Sequence, residues 1–243
     1  MNKEKILQIT SLVDLTTLSD LDNPASIQSI VNIANTGIGA SQPASVCVYS
    51  NYSNHLSELN PQIKKAIVAG YFPSGQASIQ LKQKELTHLN QMEVDEIDFV
   101  VNKGELIANN YEYLHNELEM ARSTVPDKCL KIILETGVLS NEQIAKASQI
   151  AIGCNVDFLK TSTGKVAVGA TEEAAEIFAN QIKQLKATTG IKVSGGIRTT
   201  QDAEKYISLV QHILGESFIQ PETMRIGASS LFTNLAEAYQ QHD

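Results

Sequence analysis

Short apolar runs alternate with longer amphipathic segments along the whole chain. Eight runs stand out: "SLVDLT" (11–16), "SVCVY" (45–49), "KAIVAGYF" (65–72), "EIDFVVN" (96–102), "KIILET" (131–136), "DFLKTS" (157–162), "IKVSGG" (191–196) and "MRIGAS" (224–229). Most are near-continuous in apolar residues, the pattern of parallel strands buried on both faces. Between them, apolar positions recur at helical spacing. Asn23-Pro24 predicts a helix start and Gly37 its end, with Ile27, Ile30, Val31 and Ala34 as one stripe. Ser140 and Gln143 form a capping box before "IAKASQIAI". In "TEEAAEIFANQIKQL", Ala174, Phe178, Ile182 and Leu185 share a face, behind two glutamates at the positive helix start. Eight such alternations across residues 1–243 predict a single α/β domain, a (β/α)8 TIM barrel. The alternative, a doubly wound open sheet, is disfavoured because no glycine-rich turn follows the first strand.

Composition narrows the function. Hydrophobic residues make up 42% of the 243, enough for a large core. A formal net charge of −8 argues against nucleic acid and anionic membrane surfaces as partners. The absence of Trp among the few aromatics argues against base-stacking platforms. Three cysteines without ligand spacing fit a reduced compartment. "MNKEKILQIT" is too short and charged for a signal peptide, and no apolar run approaches the roughly 18 residues of a membrane span. The expected location is cytoplasmic.

In such a barrel, chemistry sits at the C-terminal strand ends. The polar residues there are Asp14, Cys47, Asp98, Asn102, Glu135, Lys160, Lys192, Gly227, Ser229 and Ser230. Strand parity sets Asp98 and Asn102 opposite Ile97, Phe99 and Val101, Lys160 opposite Leu159, and Lys192 opposite Ile191 and Val193. Asp98, Lys160 and Lys192 therefore converge inside the barrel. One buried lysine is most simply an ion-pair partner, and Asp14, Asp98 and Glu135 are available as partners. Two on adjacent strands point to chemistry, because each raises the cost of charging the other.

Imine formation uses such an arrangement. A lysine of pKa about 10.4 is neutral in roughly one molecule in 2,500 at pH 7. A neighbouring cation and an apolar wall bring it toward about 7–8. Lys160, behind Phe158 and Leu159, is the candidate nucleophile, Lys192 the perturbing cation and Asp98 the proton shuttle. "TSTGK" (161–165), "SGGIR" (194–198) and "GASS" (227–230) follow strands six to eight and read as a phosphate cradle. Each alone would be a tight turn. "TGKV" is not a P-loop, for its first glycine and the hydroxyl after the lysine are missing.

"VDLTTL", "EIDFVVN", "KIILETG", "FLKTSTGKVAVGAT", "SGGIRT" and "RIGASSL" together resemble the deoxyribose-phosphate aldolase family over nearly the whole chain. The resemblance implies a class I aldolase, free of metal and other cofactors, on a TIM barrel. It implies reversible cleavage of 2-deoxy-D-ribose 5-phosphate to acetaldehyde and D-glyceraldehyde 3-phosphate. By motif, Lys160 resembles the Schiff-base lysine, Lys192 the activating lysine, Asp98 the acid/base and Asp14 a supporting carboxylate. Thr163, Gly164, Lys165, Gly195, Gly196, Gly227, Ser229 and Ser230 match substrate or phosphate positions, and the resemblance sets Cys47 near the substrate. Relatives are often homodimers, so a phosphorylated sugar and a second copy are the implied partners. Alternatives are another lysine-imine aldolase or transaldolase, or a barrel that binds sugar phosphates without catalysis.

The chain departs from the family at Ser50, where many relatives carry proline, and at Ser194, where proline or alanine is common. Tyr239 belongs by sequence to the last helix, so the catalytic tail tyrosine of some relatives is not expected here. His55, His88, His115, His212 and His242 show no ligand spacing and read as surface residues. Cys129 and Cys154 read as structural.

Overall fold

A computed structural model describes residues 2–241, so His242 lies outside the described residues, as do the first and last positions of the predicted domain. Eight parallel strands close into a barrel in sequence order. They are β1 (Val13–Thr16), β2 (Ser45–Tyr49), β3 (Lys64–Ala69), β4 (Glu96–Val100), β5 (Cys129–Ile133), β6 (Phe158–Lys160), β7 (Gly190–Ser194) and β8 (Met224–Ala228). The helices are α1 (Lys3–Leu12), α2 (Pro24–Thr36), α3 (Ile79–Asn90), α4 (Lys103–Ile107), α5 (Tyr111–Thr124), α6 (Asn141–Gly153), α7 (Glu172–Leu185), α8 (Thr200–Leu214) and α9 (Ser230–Gln240). No described helix is long and apolar enough to cross a membrane.

The predicted caps form. Asn23 accepts from the amides of Ala25 and Ser26, and Gly37 ends α2 at φ 67°. Ser140 and Gln143 cap α6 reciprocally. Most strands are shorter than their apolar runs. Gly70, Glu135 and Gly195 take positive φ of 83°, 60° and 86°, which turns the chain out of the pleat just past β3, β5 and β7. Ser11 and Leu12 complete α1 rather than β1. The crossover after β2 is a 3₁₀ stretch, Ser50–Glu58, whose polar sequence lacks a wide apolar stripe. Leu185 departs from the predicted face. It ends α7 and is 46% exposed, while Ala174, Phe178 and Ile182 are buried.

The main apolar cluster lies between strands and helices. A second, small apolar cluster gathers around Cys47, Ala66 and Val68, and the Phe158 ring packs against Lys131 and Arg225. Charged side chains fill much of the barrel interior, a polar core held by ion pairs.

Candidate active site

Strand register explains the convergence. Asp98 pairs with Lys131 of β5, Lys160 with Lys192, and Lys192 with Arg225 of β8. All share the inward parity. Lys160 Nζ and Lys192 Nζ each donate to Asp98 Oδ2 at 2.6 Å. Lys192 Nζ also lies 2.5 Å from Asp14 Oδ2. Deeper in the barrel, Lys131 donates to Asp14 at 2.9 Å and to Glu96. Arg225 meets Asp14 at 2.6 Å and Glu96 at 2.9 Å. Among these residues, three carboxylates face four cations, an excess of one positive charge.

That imbalance sets the titration. Burial pulls the Lys160 ammonium down, Asp98 pulls it up, and Lys192 pushes it down again, so its pKa ends below the ordinary lysine value. Burial also acts on Lys192, but Asp14 and Asp98 outweigh it and raise its pKa. Burial alone would raise the Asp98 carboxyl, yet Lys160, Lys192 and Lys131 hold it below the usual carboxylate range. The proton most easily lost from the cluster is therefore on Lys160, the one lysine of the three at the cavity.

Above the cluster opens a cavity of about 320 Å³. Lys160 forms part of its floor and is 3% exposed. Thr163, Gly164, Lys165, Gly195, Gly196, Gly227, Ser229 and Ser230 all line it, joined by Arg198 and Ser19. Ser229 is the N-cap of α9, so Ser229 and Ser230 bring the start of that helix to this rim. Gly195 is required by close approach, since a Cβ there would meet Ser162 Oγ at 2.7 Å and Gly169 Cα at 2.9 Å. Lys165 lies at the rim, 3.7 Å from Asp20.

Asp14, Asp98 and Lys192 lie beneath the lining, and so does Cys47. The Cys47 thiol sits 3.9 Å from Asp98, and burial with that carboxylate pushes its pKa up to about 12. Asn102 departs from the parity it shares with Asp98, because β4 ends at Val100 and Asn102 is already the N-cap of α4. Its side chain accepts from the Glu105 amide, and its own amide donates to Glu117.

Sequence reasoning missed Lys131, Glu96 and Arg225. The parity that selects Asp98 also selects its register partner Lys131, but Lys131 lies below the strand ends, deeper in the barrel. Glu135, available by sequence as a partner for the buried lysines, pairs with Lys103 instead and has a defined task. At φ 60° its carboxylate accepts from Thr163 N at 3.0 Å and Thr163 Oγ1 at 2.7 Å, and Lys103 lies 3.2 Å away. It fixes the loop after β6 to the end of β5. Ser194 donates its amide to Thr161 Oγ1 at 3.0 Å and its hydroxyl to Ser162 O at 2.7 Å. A proline there would lack both donors. Tyr239 sits in α9 with its ring 4.9 Å from Lys3 Nζ, packed against α1. His88, His115 and His212 are exposed, as expected, with His115 Nδ1 3.5 Å from the Cys154 thiol; His55 is the correction, for it is half-buried with its Nδ1 buried beside Tyr52.

Comparison with known proteins bears on the fold and the family. A crystal structure of a protein from Coccidioides immitis, provisionally named a deoxyribose-phosphate aldolase, superposes with a TM-score of 0.84 at 27% identity, covering 96% of this chain and 86% of that one. A protein named "QR15, an Aldolase" matches at 0.81 and 27%, covering 96% and 97%. The deoxyribose phosphate aldolase of Aeropyrum pernix, a tetramer, shares the fold at 0.73 and 22%, covering 98% and 96%. The model of the DeoC/LacD family aldolases matches residues 9–231. The chain belongs to the DeoC/LacD aldolase family.

Proposed function

We propose that this aldolase cleaves 2-deoxy-D-ribose 5-phosphate to acetaldehyde and D-glyceraldehyde 3-phosphate through a Schiff base on Lys160. The carrying observation is that Lys160 and Lys192 share one oxygen of Asp98, each at 2.6 Å, at the floor of the cavity. A lysine so placed is the easiest member of the cluster to neutralise, and neutral amine is the nucleophile. Lys160 Nζ adds to the C1 aldehyde of the open-chain sugar. Loss of water from the carbinolamine gives the iminium, with Asp98 passing the protons. Deprotonation of the C3 hydroxyl breaks the C2–C3 bond and releases glyceraldehyde 3-phosphate. The electron pair stays on the imine as an enamine. Protonation at C2 and addition of water return free Lys160 and acetaldehyde.

Lys192 keeps Lys160 below its ordinary pKa, and Asp14 and Lys131 hold Lys192 and Asp98 in position. The phosphate sits against the glycine and serine loops after β6, β7 and β8, with Lys165 as a rim cation. We assign the reaction to deoxyribose catabolism in the cytoplasm, with a homodimer as the working state.

Borohydride reduction in the presence of 2-deoxyribose 5-phosphate, followed by peptide mass mapping, tests this reading. The expected result is one stable adduct on Lys160. An unmodified Lys160, or an equal adduct on surface lysines, would refute it.

A further inference from the structure

Outside the barrel, α5 and the end of α6 bring together three side chains that ligate metals. His115 and Glu119 lie four residues apart on α5, and therefore on one face, one turn apart. Cys154 caps the C-terminus of α6 and is buried. Its Sγ lies 3.5 Å from His115 Nδ1. Ligand atoms of all three residues lie within 4.8 Å of one another, and both α5 residues are exposed. In a tetrahedral zinc site, bonds of about 2.3 Å to sulfur and about 2.05 Å to nitrogen put those two atoms about 3.6 Å apart. The observed Sγ–Nδ1 separation is close to that value, and the exposed Glu119 already brings a carboxylate oxygen within 4.8 Å of both atoms.

We propose that His115, Glu119 and Cys154 form a site for a zinc-like divalent cation, with water in the fourth position. A thiolate, an imidazole and a carboxylate make a donor set that suits zinc rather than magnesium or calcium. Without a cation, burial and then the charge and hydrogen bond of Glu119 keep the Cys154 thiol protonated, with its pKa pushed up to about 11. On binding, the S–H proton leaves to solvent, the sulfur–metal bond forms, and the Glu119 charge becomes attractive. The two residues on α5 and the one at the end of α6 would then be cross-linked. None of the three belongs to the lysine cluster, so this cation is structural and plays no part in the aldol step.

Metal-stripped full-length protein titrated with cobalt(II), then zinc(II), tests the site. One equivalent of cobalt should give a thiolate-to-cobalt charge-transfer band that zinc abolishes, and zinc should raise Tm. His115→Ala alters an exposed residue and leaves packing intact. It and Cys154→Ser should each weaken zinc binding by more than the ~10–100-fold that loss of an outer partner costs. Cys129→Ser should leave binding unchanged. No thiolate band in the folded wild-type protein, or a band that survives His115→Ala or Cys154→Ser, would overturn the assignment.

Discussion

Two regions of the molecule bury a lysine whose pKa falls below its ordinary value. In the first, Lys82 of α3 lies between strand and helix layers. Its Nζ donates to Glu117 at 2.7 Å and to Val100 O at 2.9 Å. Burial lowers the Lys82 ammonium and Glu117 opposes it, while burial raises the Glu117 carboxyl. In the second, Lys160 competes with Lys192 for one oxygen of Asp98. Burial and a depressed pKa are common to both, so neither property identifies reactive chemistry. What separates them is stoichiometry and access. Lys82 has a carboxylate of its own and lines none of the major cavities. Lys160 belongs to a cluster with one cation too many and opens on a cavity.

The sharpest way to break this comparison is to remove each lysine. Lys160→Leu should lower retro-aldol turnover by ~10,000-fold or more, as loss of a covalent nucleophile does. It leaves three cations for three carboxylates, so Tm should hold or rise. Steady-state kinetics and calorimetry together check both halves. Next in size is Lys192→Leu, expected to cost ~100–1,000-fold, within the range for proton-transfer assistance. The sign of its pH effect is fixed. Neutral Lys160 is the active form, so log kcat/KM rises with pH through the Lys160 pKa. Lys192 lowers that pKa, and removing it moves the acid limb to higher pH. An unmoved limb would deny Lys192 this role.

Lys82→Met should leave turnover per folded molecule unchanged. It strands a buried Glu117 and should cost about 3–5 kcal/mol in denaturant unfolding. Adding Glu117→Leu should restore most of that loss. The smallest effect is expected for Ser229→Glu. KM for the phosphorylated sugar should rise about tenfold, or 1.4 kcal/mol, with little change for unphosphorylated deoxyribose.

Period and parity carried much of the structure. Alternating runs gave eight strands, and parity alone pointed Asp98, Lys160 and Lys192 inward. Strand ends were less legible, since a non-glycine residue such as Glu135 left the pleat at positive φ with no turn residue to mark it. The lower half of the charge cluster was also hidden. Arg225 and Asp14 are 211 residues apart, and only barrel closure makes them neighbours. His115 and Cys154 illustrate the same limit at shorter range, because the packing of α5 on α6 sets their distance, not their spacing. Leu185 kept helical period but lay at the last turn, beyond the sheet that its face would have covered.

The carboxylate of Glu135 has a wider implication. By clasping both the amide and the hydroxyl of Thr163, it sets the loop after β6 before any sugar arrives. The entropy of ordering that loop is lost during folding, not at each encounter. Capture of substrate then needs no conformational search at Thr163, and the binding free energy is not spent on ordering that part of the loop.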